Sequence, residues 1–465
     1  MMQHLYDGLL YLTGWPLAVL LITGGLYFTF RTGFIQFRLL FESVRVVLEK
    51  PSQNGSVSSF GALMVSTASR VGTGNIIGVS TAICFGGPGA VFWMWVTAII
   101  GGASAFVEST LAQIYKRRNP DGTSYGGPAF YIESACRNKF LAVLFALALI
   151  FTYGVGYNML ASYNLQSAFS NFGFYKPHHC WYFGIAASAL FLFTILFGSR
   201  ILVKTTGVIV PVMGVLYILL AVTALVLNFR EIPQMFKMIF AGAFDFKAIF
   251  GGFAGSCVMW GLKRGLYSNE AGIGSAPNAA AAADVSHPVK QGLVQMLSVF
   301  IDTNLICMAT ALMCLVSGVA PTAQNAGAPF VQQAMSVTFG KTGPVFIAVA
   351  MLFFAYTTLL GNFYYVESCC AYLAGRQPGK RSLLIIRIAG ALLILFGAAL
   401  KMEHAWNIAD IAQCILAFIN IPVCIYLGNK AYSALKDYIS QKKQNKNPVY
   451  KSRLNGVAED TDFWK

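Results

Sequence analysis

Charged residues are scarce in this sequence. Only 11% of its 465 residues are Asp, Glu, Lys or Arg, whereas soluble domains typically carry about 25%. A chain with so few charges cannot cover a surface that faces water, and 56% of its residues are apolar. The scarcity therefore excludes an ordinary soluble protein and indicates that most of the chain faces lipid.

The sequence also lacks the residue patterns of metal centres and catalytic sites. Its ten cysteines are scattered without metal-ligand spacing, and several lie in apolar runs, where cysteine is usually a small buried hydrophobe. No Ser/His/Asp arrangement, pair of carboxylates or phosphate-binding loop is visible, and the Gly-x-Gly-Asn motif at residues 72–75 follows no strand pattern. These absences predict neither an enzyme nor a bound cofactor.

Long apolar runs are what the sequence does contain. A membrane-crossing helix needs roughly 20 mostly apolar residues, so the runs predict an all-α membrane protein with eleven transmembrane helices. The start of the chain has neither a basic segment nor a small-residue cleavage site, and we expect the first apolar run to be retained. The predicted spans cover residues 12–30, 57–84, 89–114, 139–168, 180–198, 207–227, 250–273, 289–317, 343–371, 383–400 and 406–428.

The basic residues predict how these spans are oriented. Lys and Arg concentrate in every second connecting segment and in the C-terminal tail. Because basic segments stay on the cytoplasmic side, we expect the N-terminus outside and the C-terminus inside a bacterial-type inner membrane. The net charge of +15 therefore reflects topology rather than nucleic-acid binding, and the residues after Gln441 are expected to form a short disordered basic tail.

Two of the predicted spans contain glycine clusters that should interrupt a helix. They lie near residues 68–78 of the second span and 256–272 of the seventh, and each combines several glycines with Arg and Asn. In lipid every backbone polar group needs an internal partner, so interruptions are tolerated only around a cavity. Both clusters share one spacing, in which Asn follows Arg by five residues and Gly follows Asn by three: Arg70, Asn75 and Gly78; Arg264, Asn269 and Gly272.

The positions of the two interruptions predict an inverted repeat. They open two sets of five spans, 2–6 and 7–11, and because five is odd the two sets start from opposite faces of the membrane. The predicted organisation is an extra N-terminal helix with a linker (1–56), a first repeat (57–228), a second repeat (229–430) and the basic tail (431–465). Matching interruptions in two halves are typical of a transporter's binding site.

Interrupted helices suit a site that holds a zwitterion and a cation together. Free N–H groups at a half-helix N-terminus favour a carboxylate, and freed carbonyls, amide oxygens and hydroxyls suit a hard cation. An alternative is that Gly72 and Gly74 only allow close helix packing. Packing alone would not explain the neighbouring Arg70 and Asn75, so we favour a binding site.

Charged residues inside the predicted spans are few, and each needs a role. A charged side chain at mid-helix costs about 2.5–3.5 kcal/mol on insertion scales. We expect these residues to act as gates or as helix contacts, and a structural ion pair between Arg264 and an acidic partner is the simplest alternative. The predicted gating or structural charges are Arg70, Glu108, Arg264, Glu270, Asp302 and Glu367.

With these motifs in view, the sequence resembles the alanine or glycine:cation symporter family, also called the sodium:alanine symporters. The segments that carry the resemblance are RVGTGNIIG at residues 70–78, GGPGAVFWMW at 86–95, GLYSNEAGIGSAP at 265–277, GNFYYVE at 361–367 and WNIAD at 406–410. The resemblance implies a LeuT-like fold with one added N-terminal helix. It also implies cation-driven uptake of alanine, glycine or a similar small neutral amino acid by alternating access.

Carried over residue by residue, the resemblance implies a substrate pocket between the two interruptions. The backbone amides of Thr73 and Gly74 would meet the substrate carboxylate, and the seventh span would close the other side of the pocket. The implied pocket residues are Gly72, Thr73, Gly74, Asn75, Ala161, Ser256, Trp260 and Gly261.

The resemblance also implies two places for Na⁺, and no other metal. Asn75 would lie beside the ion nearest the substrate. A second ion would lie between the second and ninth spans, where the adjacent hydroxyls of Thr357 and Thr358 suit a hard cation, although a mid-span Thr more often bonds its own helix backbone. The ligands implied for this second ion are Ala68, Val71, Phe354, Thr357 and Thr358.

The sequence departs from the family pattern at two positions. Ala161 stands where family members typically carry a pocket Gln, and Met308 stands where a Thr is usual. Loss of a pocket amide enlarges the cavity and makes it less polar. A larger neutral substrate such as glutamine or serine is therefore an alternative to alanine.

Other interpretations differ in the ion or in the class of protein. None of the five histidines lies mid-span, which argues against a histidine proton relay and leaves Na⁺ favoured, with proton coupling as the alternative. A channel should show rings of pore charges, a non-transporting sensor an added soluble domain, and an intramembrane enzyme a metal or nucleophile cluster. None of these is visible, and no obligate partner is predicted besides the amino acid, Na⁺ and lipid.

Overall fold

The computed structural model describes residues 2–51, 56–120, 122–245, 256–457, 459 and 461–464. These residues are almost entirely helical, which confirms the prediction of an all-α protein. Within the described ranges, β1 (Arg117–Arg118) and β2 (Ser124–Tyr125) form a short antiparallel pair in which Arg117 lies opposite Tyr125.

The helices fall into two runs, one on each side of the undescribed residues 246–255. The first run is α1 (Met2–Leu12), α2 (Trp15–Arg31), α3 (Ile35–Arg38), α4 (Leu40–Val47), α5 (Ser59–Arg70), α6 (Ile77–Gly86), α7 (Gly89–Ile114), α8 (Pro128–Cys136), α9 (Lys139–Ile150), α10 (Asn158–Ser167), α11 (His179–Leu196), α12 (Ser199–Leu227) and α13 (Ile232–Phe244). The second run is α14 (Cys257–Asn269), α15 (Pro277–Ala282), α16 (Pro288–Val299), α17 (Met308–Val316), α18 (Ala328–Phe339), α19 (Thr342–Leu373), α20 (Lys380–Gly397) and α21 (Met402–Lys443).

Shorter helical turns connect these elements. Two π-helical segments, Phe151–Tyr157 and Phe300–Cys307, join α9 to α10 and α16 to α17 into continuous rods. Such π segments are rare and frequently lie at functional sites. The 3₁₀ turns are Thr73–Asn75, Phe229–Glu231, Ala323–Asn325 and Arg453–Asn455.

Eight helices in the described part are long and apolar enough to cross a membrane, which makes the chain a multi-pass membrane protein. They are Tyr6–Arg31, Gly89–Ile114, Lys139–Ser167, His179–Leu196, Ile201–Leu227, Pro288–Val316, Thr342–Leu373 and Met402–Lys443. The second predicted span is absent from this set because it is divided into α5 and α6, and the seventh because its described helix, α14, has only 13 residues. The tenth corresponds to α20, whose 18 residues include three basic side chains.

The second predicted span is interrupted where the glycines predict it. The helix α5 ends at Arg70, a 3₁₀ turn occupies Thr73–Asn75, and α6 starts at Ile77. A Cβ atom on Gly72 would lie 1.9 Å from the Thr358 hydroxyl oxygen, and one on Gly74 would lie 2.5 Å from the Tyr267 ring. Both positions therefore need glycine because other helices approach the backbone so closely.

The interruption of the seventh span begins later than its glycine pattern suggests. The helix α14 runs unbroken to Asn269, and the chain then turns through Glu270, Gly272 and Gly274, all with positive φ, before α15. The break predicted near residues 256–272 thus lies at the far end of that range and extends beyond it. The part of this predicted span before Ser256 lies outside the described residues.

The earlier glycines of the seventh span serve helix packing instead. A Cβ atom on Gly261 would lie 2.5 Å from the Ala90 carbonyl oxygen, and one on Gly265 would lie 3.2 Å from Thr97, both on α7. Ser256 is the N-cap of α14, and its side chain accepts a hydrogen bond from the Met259 N–H. Small residues at these positions let α14 and α7 pack closely in the centre of the molecule.

The C-terminal tail is folded against the helix ends, unlike the disordered tail expected after Gln441. The helix α21 continues to Lys443, and the following residues return to contact α7 and α16. Trp464 is only 6% exposed. Basic composition alone favours disorder, but the buried aromatic side chains near the end of the chain favour docking.

Candidate functional site

The two helix interruptions lie against each other inside the bundle. The hydroxyl of Ser69, at the end of α5, contacts both Glu270, at 2.8 Å, and the Asn362 side-chain oxygen on α19, at 2.7 Å. The Tyr267 ring covers Gly74. The structure therefore brings the second, seventh and ninth predicted spans together at one buried place.

The turn at residues 71–76 is held by its own side chains. The Asn75 side-chain oxygen accepts a 2.7 Å hydrogen bond from the Gly72 N–H, and the Thr73 hydroxyl accepts one of 3.0 Å from Asn164 on α10. No hydrogen bond joins the N–H group of Thr73 or Gly74 to another described residue. Two backbone donors in a buried turn are thus available to an anionic group.

A buried carboxylate lies beside this turn. Asp302, in the π-helical segment of the eighth predicted span, accepts hydrogen bonds from the Asn75 side-chain amide at 2.7 Å, the Ser268 hydroxyl at 2.7 Å and the Thr303 hydroxyl at 2.8 Å. All four residues are fully buried. Among the described residues no Lys or Arg nitrogen lies within 4.0 Å of the carboxylate, so the nearby donors are neutral.

The chemistry of this cluster suits a hard cation. The buried guanidinium of Arg70 attracts the Asp302 carboxylate electrostatically but forms no ion pair with it within 4.0 Å, and a buried charge without a direct partner is unfavourable unless something compensates it. Carboxylate and hydroxyl oxygens are the ligands that such cations take in proteins. We name the group of Asn75, Ser268, Asp302 and Thr303 the Asp302 cluster.

The proposed ligands of a second cation are also near one another. Thr358 lies against Gly72, and its hydroxyl oxygen is buried without a hydrogen-bond partner among the described residues. The backbone of Ala68 packs against Gly361, one turn further along α19. Thr357 differs, because its hydroxyl already donates to the carbonyls of Phe353 and Phe354 on its own helix, at 3.0 and 3.2 Å.

Two buried glutamates support the second interruption. Glu108 on α7 accepts hydrogen bonds from the Gly272 and Gly274 N–H groups at 3.4 and 3.1 Å, and from the Asn420 amide at 2.7 Å. Glu270 accepts from Ser69 and also from Ser275, at 2.7 Å. Glu108 therefore satisfies backbone donors that the broken helix leaves free, and both carboxylates join separate elements.

The other predicted charges have different surroundings. Arg70 is 2% exposed and donates to the backbone and side-chain oxygens of Gln295 at 3.3 and 3.4 Å, while its Nε and Nη2 atoms lack a hydrogen-bond partner among the described residues. Glu367 forms a 2.8 Å ion pair with Arg387 on the neighbouring α20. Its environment is that of a helix contact.

Arg264 forms a buried ion pair near the middle of α14. Its Nη2 atom lies 2.8 Å from an Asp410 oxygen, and its guanidinium carbon lies 4.0 Å from the centre of the Trp406 ring and 5.2 Å from that of Trp260. This group borders a cavity of about 530 Å³ that Phe85, Met259, Lys263 and Met402 also line. Asp410 is thus the acidic partner that the structural alternative required for Arg264. The pair lies at the mouth of a cavity large enough for an amino acid.

Aromatic residues that the sequence patterns did not single out separate this cavity from the turn at residues 71–76. The rings of Tyr157 and Tyr267 lie 4.7 Å apart, and those of Tyr267 and Trp406 lie 4.9 Å apart. Tyr267 lies within the segment 265–277, which carries the family resemblance, and this position could have identified it as a site residue. Nothing in the sequence pairs it with Tyr157.

Of the remaining predicted pocket residues, two lie beside the turn or the cavity and two do not. Ala161 is fully buried on α10, one turn after Tyr157 and one turn before Asn164, on the side that bonds Thr73. Trp260 lines the cavity. Ser256 and Gly261 instead have the capping and packing contacts described above, and the structure does not bring them to the turn at residues 71–76.

Interrupted helices around a buried polar site define a membrane transporter with a LeuT-like fold. In agreement, the structure of MhsT in complex with L-phenylalanine matches with a TM-score of 0.61 and 15% identity, over 84% of this chain and 93% of that one. The profile of the sodium:alanine symporter family matches residues 2–452. The chain belongs to this family, and like its relatives it is a transporter and not an enzyme.

Curated relatives cover nearly the whole chain. The amino-acid carrier protein AlsT of Bacillus subtilis is 42% identical over 97% of this chain and 95% of the relative. The probable sodium/glutamine symporter GlnT of the same organism is 40% identical, over 93% and 90%. The sodium/alanine symporter AgcS of Methanococcus maripaludis is 37% identical, over 91% and 94%.

Proposed function

We propose that this protein is a sodium-coupled symporter that imports a small neutral amino acid, alanine, glycine or a close analogue, by alternating access. The observation that carries the proposal is the buried contact of Asn75 with Asp302, next to a turn whose Thr73 and Gly74 N–H groups are free. The Asp302 carboxylate suits a cation, and the free N–H groups suit a carboxylate. An amino acid and Na⁺ together would complete both.

The substrate carboxylate lies, in this proposal, on the backbone amides of Thr73 and Gly74. Tyr267, Tyr157 and Ala161 then surround the rest of the substrate, and the Arg264–Asp410 pair with Trp406 closes the way to the outer cavity. Pre-formed backbone donors in a dry site bind a carboxylate at little reorganisation cost. A mainly apolar lining favours neutral side chains.

Two Na⁺ ions complete the proposed site. One is held by the Asp302 cluster beside the substrate. The other lies between α5 and α19, with the carbonyls of Ala68, Val71 and Phe354 and the hydroxyls of Thr357 and Thr358 as ligands. Their binding would draw α5, α14 and α19 together, which is how ion binding and substrate binding become coupled.

We further infer eleven spans in two inverted sets of five, with the N-terminus outside and the C-terminus in the cytoplasm. The placement of the interrupted spans as the first of each set supports the repeat. The basic tail and the basic connecting segments support the orientation.

The identity of the coupling ion and the size of the substrate each have an alternative. Two relatives are named as sodium/proton-dependent alanine carriers, and one as a glutamine symporter. Glu108, Glu270 and Asp302 are three buried carboxylates without a Lys or Arg nitrogen within 4.0 Å among the described residues. A proton on one of them, in place of an ion, is the specific alternative.

Uptake into liposomes tests the proposal. The purified protein should accumulate labelled alanine, glycine or glutamine when Na⁺ is placed outside, and choline in place of Na⁺ should abolish accumulation. A competition panel of the twenty amino acids would define the substrate. Accumulation that follows a pH gradient without Na⁺ would replace the sodium assignment by proton coupling, and no accumulation of any amino acid would reject symport.

A further inference from the structure

The C-terminal segment, of which residues 447–457, 459 and 461–464 are described, contacts the end of α7. The Trp464 indole N–H donates a 2.7 Å hydrogen bond to the Gln113 carbonyl, and the Arg118 N–H donates one of 3.0 Å to Asp462. The Arg118 guanidinium lies 4.1 Å from the centre of the Phe463 ring. Terminal residues usually fray, so burial of Trp464 indicates specific docking.

The same segment also contacts the residues that precede α16. The Tyr450 N–H donates to the Ser286 carbonyl at 3.0 Å, and the Ser286 hydroxyl donates to the Pro448 carbonyl at 2.8 Å. Lys290, at the start of α16, donates to the Asn447 side chain at 2.8 Å. These bonds join the segment to the connection between α15 and α16.

A third set of contacts reaches α21. The Gln441 side chain forms a reciprocal pair of hydrogen bonds with the backbone of Val449, at 2.9 and 3.0 Å. Lys430 forms an ion pair with Glu459, which also accepts a 3.1 Å hydrogen bond from Tyr115. The segment thus bridges α7, α16 and α21 at one end of the bundle.

The residues that bind the C-terminal segment also form hydrogen bonds with the end of α15, the helix that follows the second interruption. Gln113, whose backbone carbonyl accepts the Trp464 hydrogen bond, donates from its side chain to the Ala283 carbonyl at 3.0 Å, and Lys116 donates to the same Ala283 carbonyl at 3.0 Å. The Asp284 N–H donates to the Val57 carbonyl at 2.9 Å. Hydrogen bonds therefore connect the docked tail, through Gln113, to the end of α15 and from there to the start of the second predicted span.

We propose that the C-terminal segment is a latch that holds the cytoplasmic gate of the transporter closed, and that its release favours the inward-facing state. The proposal rests on the transport function and orientation proposed above. In this proposal, opening of this end separates α15 and residue 57 from α7 and α21, and the segment is bonded to α7, to α21 and to the connection that follows α15. The cavity beside Arg264 borders residues 259–264 of α14, away from α15, whereas a smaller cavity of about 390 Å³ is lined by Val57, Asn278 and Ala282 on the side of the latch.

Hydrogen exchange of the full-length protein in lipid nanodiscs tests the latch. In Trp464→Ala, the amides of residues 280–287 should exchange about tenfold faster than in the wild type, which corresponds to about 1.4 kcal/mol. Leu454→Ala is the matched control, because Leu454 lies in the same segment but is 81% exposed. Asp462→Asn is a milder variant that retains every aromatic side chain and should give a smaller shift in the same direction.

Transport kinetics provide a second readout. Release of the latch should lower the population that can bind external substrate, and apparent affinity falls with that population. The KM for external amino acid should therefore rise several-fold, by about 3- to 10-fold, while kcat does not fall. A structural role alone would lower kcat and leave KM unchanged.

Two results would overturn the latch. One is unchanged exchange at residues 280–287 in Trp464→Ala, and the other is faster exchange spread evenly over the whole chain, which would indicate general destabilisation. Failure of the proposed function is recognised separately, because it would appear in wild-type protein as absence of Na⁺-dependent uptake.

Discussion

The Asn75 side chain donates a 2.7 Å hydrogen bond to the carboxylate of Asp302, although 227 residues separate the two in the sequence. The bond joins the first interrupted span to the π-helical segment of the eighth. It places a buried negative charge beside free backbone N–H groups. Binding of a cation and binding of a carboxylate are thereby brought within one small volume.

The Asp302 cluster is tested by Asp302→Asn. The amide keeps the size of the side chain but removes the charge and one of the two acceptor oxygens that would hold Na⁺, so the Na⁺ concentration for half-maximal uptake should rise about tenfold or more. Glu231→Gln, an exposed acid in the 3₁₀ turn Phe229–Glu231, is the control and should leave Na⁺ dependence unchanged. Wild-type Na⁺ dependence in Asp302→Asn would remove this residue from the ion site.

Thr357 and Thr358 should respond differently to replacement by Ala. The Thr358 hydroxyl is buried without a partner and lies against Gly72, whereas the Thr357 hydroxyl already bonds its own helix. Thr358→Ala should therefore weaken Na⁺ activation about tenfold, and Thr357→Ala should weaken it less. Uptake measured as a function of Na⁺ concentration distinguishes them, and equal, negligible effects would reject this ion site.

Ala161→Gln tests the substrate pocket. Ala161 is fully buried on the face of α10 whose Asn164 bonds Thr73, so a Gln there should fill space and add a hydrogen-bonding amide. We expect the ratio of kcat/KM for glycine over glutamine to rise about tenfold, since steric exclusion acts on the larger substrate. Ala168→Gln, on the same rod but beyond α10, is the control. An unchanged ratio in Ala161→Gln would place the substrate elsewhere.

The stability of the protein should depend on pH through Lys116, just beyond the end of α7. Burial lowers the pKa of this side chain to about 7, with Asp284 opposing and Arg118 adding to the shift. Between pH 7 and about 10 the unfolded chain binds a proton that the folded protein has lost, so stability rises with pH in that window, by at most about 1.4 kcal/mol per pH unit. Below about pH 7 both forms are charged, and the dependence disappears.

Thermal melting of wild type and Lys116→Met between pH 6 and 9 measures this effect. The wild-type melting temperature should increase above pH 7 relative to that of Lys116→Met, which carries no titrating group there. Parallel curves for the two proteins would show that Lys116 stays charged. Its amino group lies 4.5 Å from the centre of the Phe463 ring and 5.1 Å from that of the Trp464 ring, and contacts of this kind stabilise a cation.

Much of the fold could be predicted because lipid imposes simple rules. Apolar length, the scarcity of charge and the need to satisfy backbone groups internally indicated helices and an interruption at residues 71–76. The second interruption lies later in the chain than the glycine pattern predicted, beginning at Glu270, because glycine in a membrane helix has two uses. At Gly261 and Gly265 it permits close packing with α7, whereas at Gly272 and Gly274 it permits positive φ.

The site was only partly predictable, because spacing along a chain does not report which helices meet. Asn75 and Thr358 were named as residues that the family resemblance implies, and the structure brings both to the turn. Asp302 was expected only as a gating or structural charge, and its contact with Asn75 was not foreseen. Tyr157 could not be found, since its aromatic partner Tyr267 lies in the other half of the chain.

Three properties could be read from the sequence alone: that this protein is a multi-pass helical membrane protein, where its second span is interrupted, and which family it resembles. These properties follow from composition and local pattern, because lipid tests each segment separately. The folded structure was needed to show which buried charges face one another, which glycines serve packing and how the tail docks on α7. Those properties depend on contacts between distant residues, and hydrogen bonds and ion pairs form only between groups that folding has already brought together.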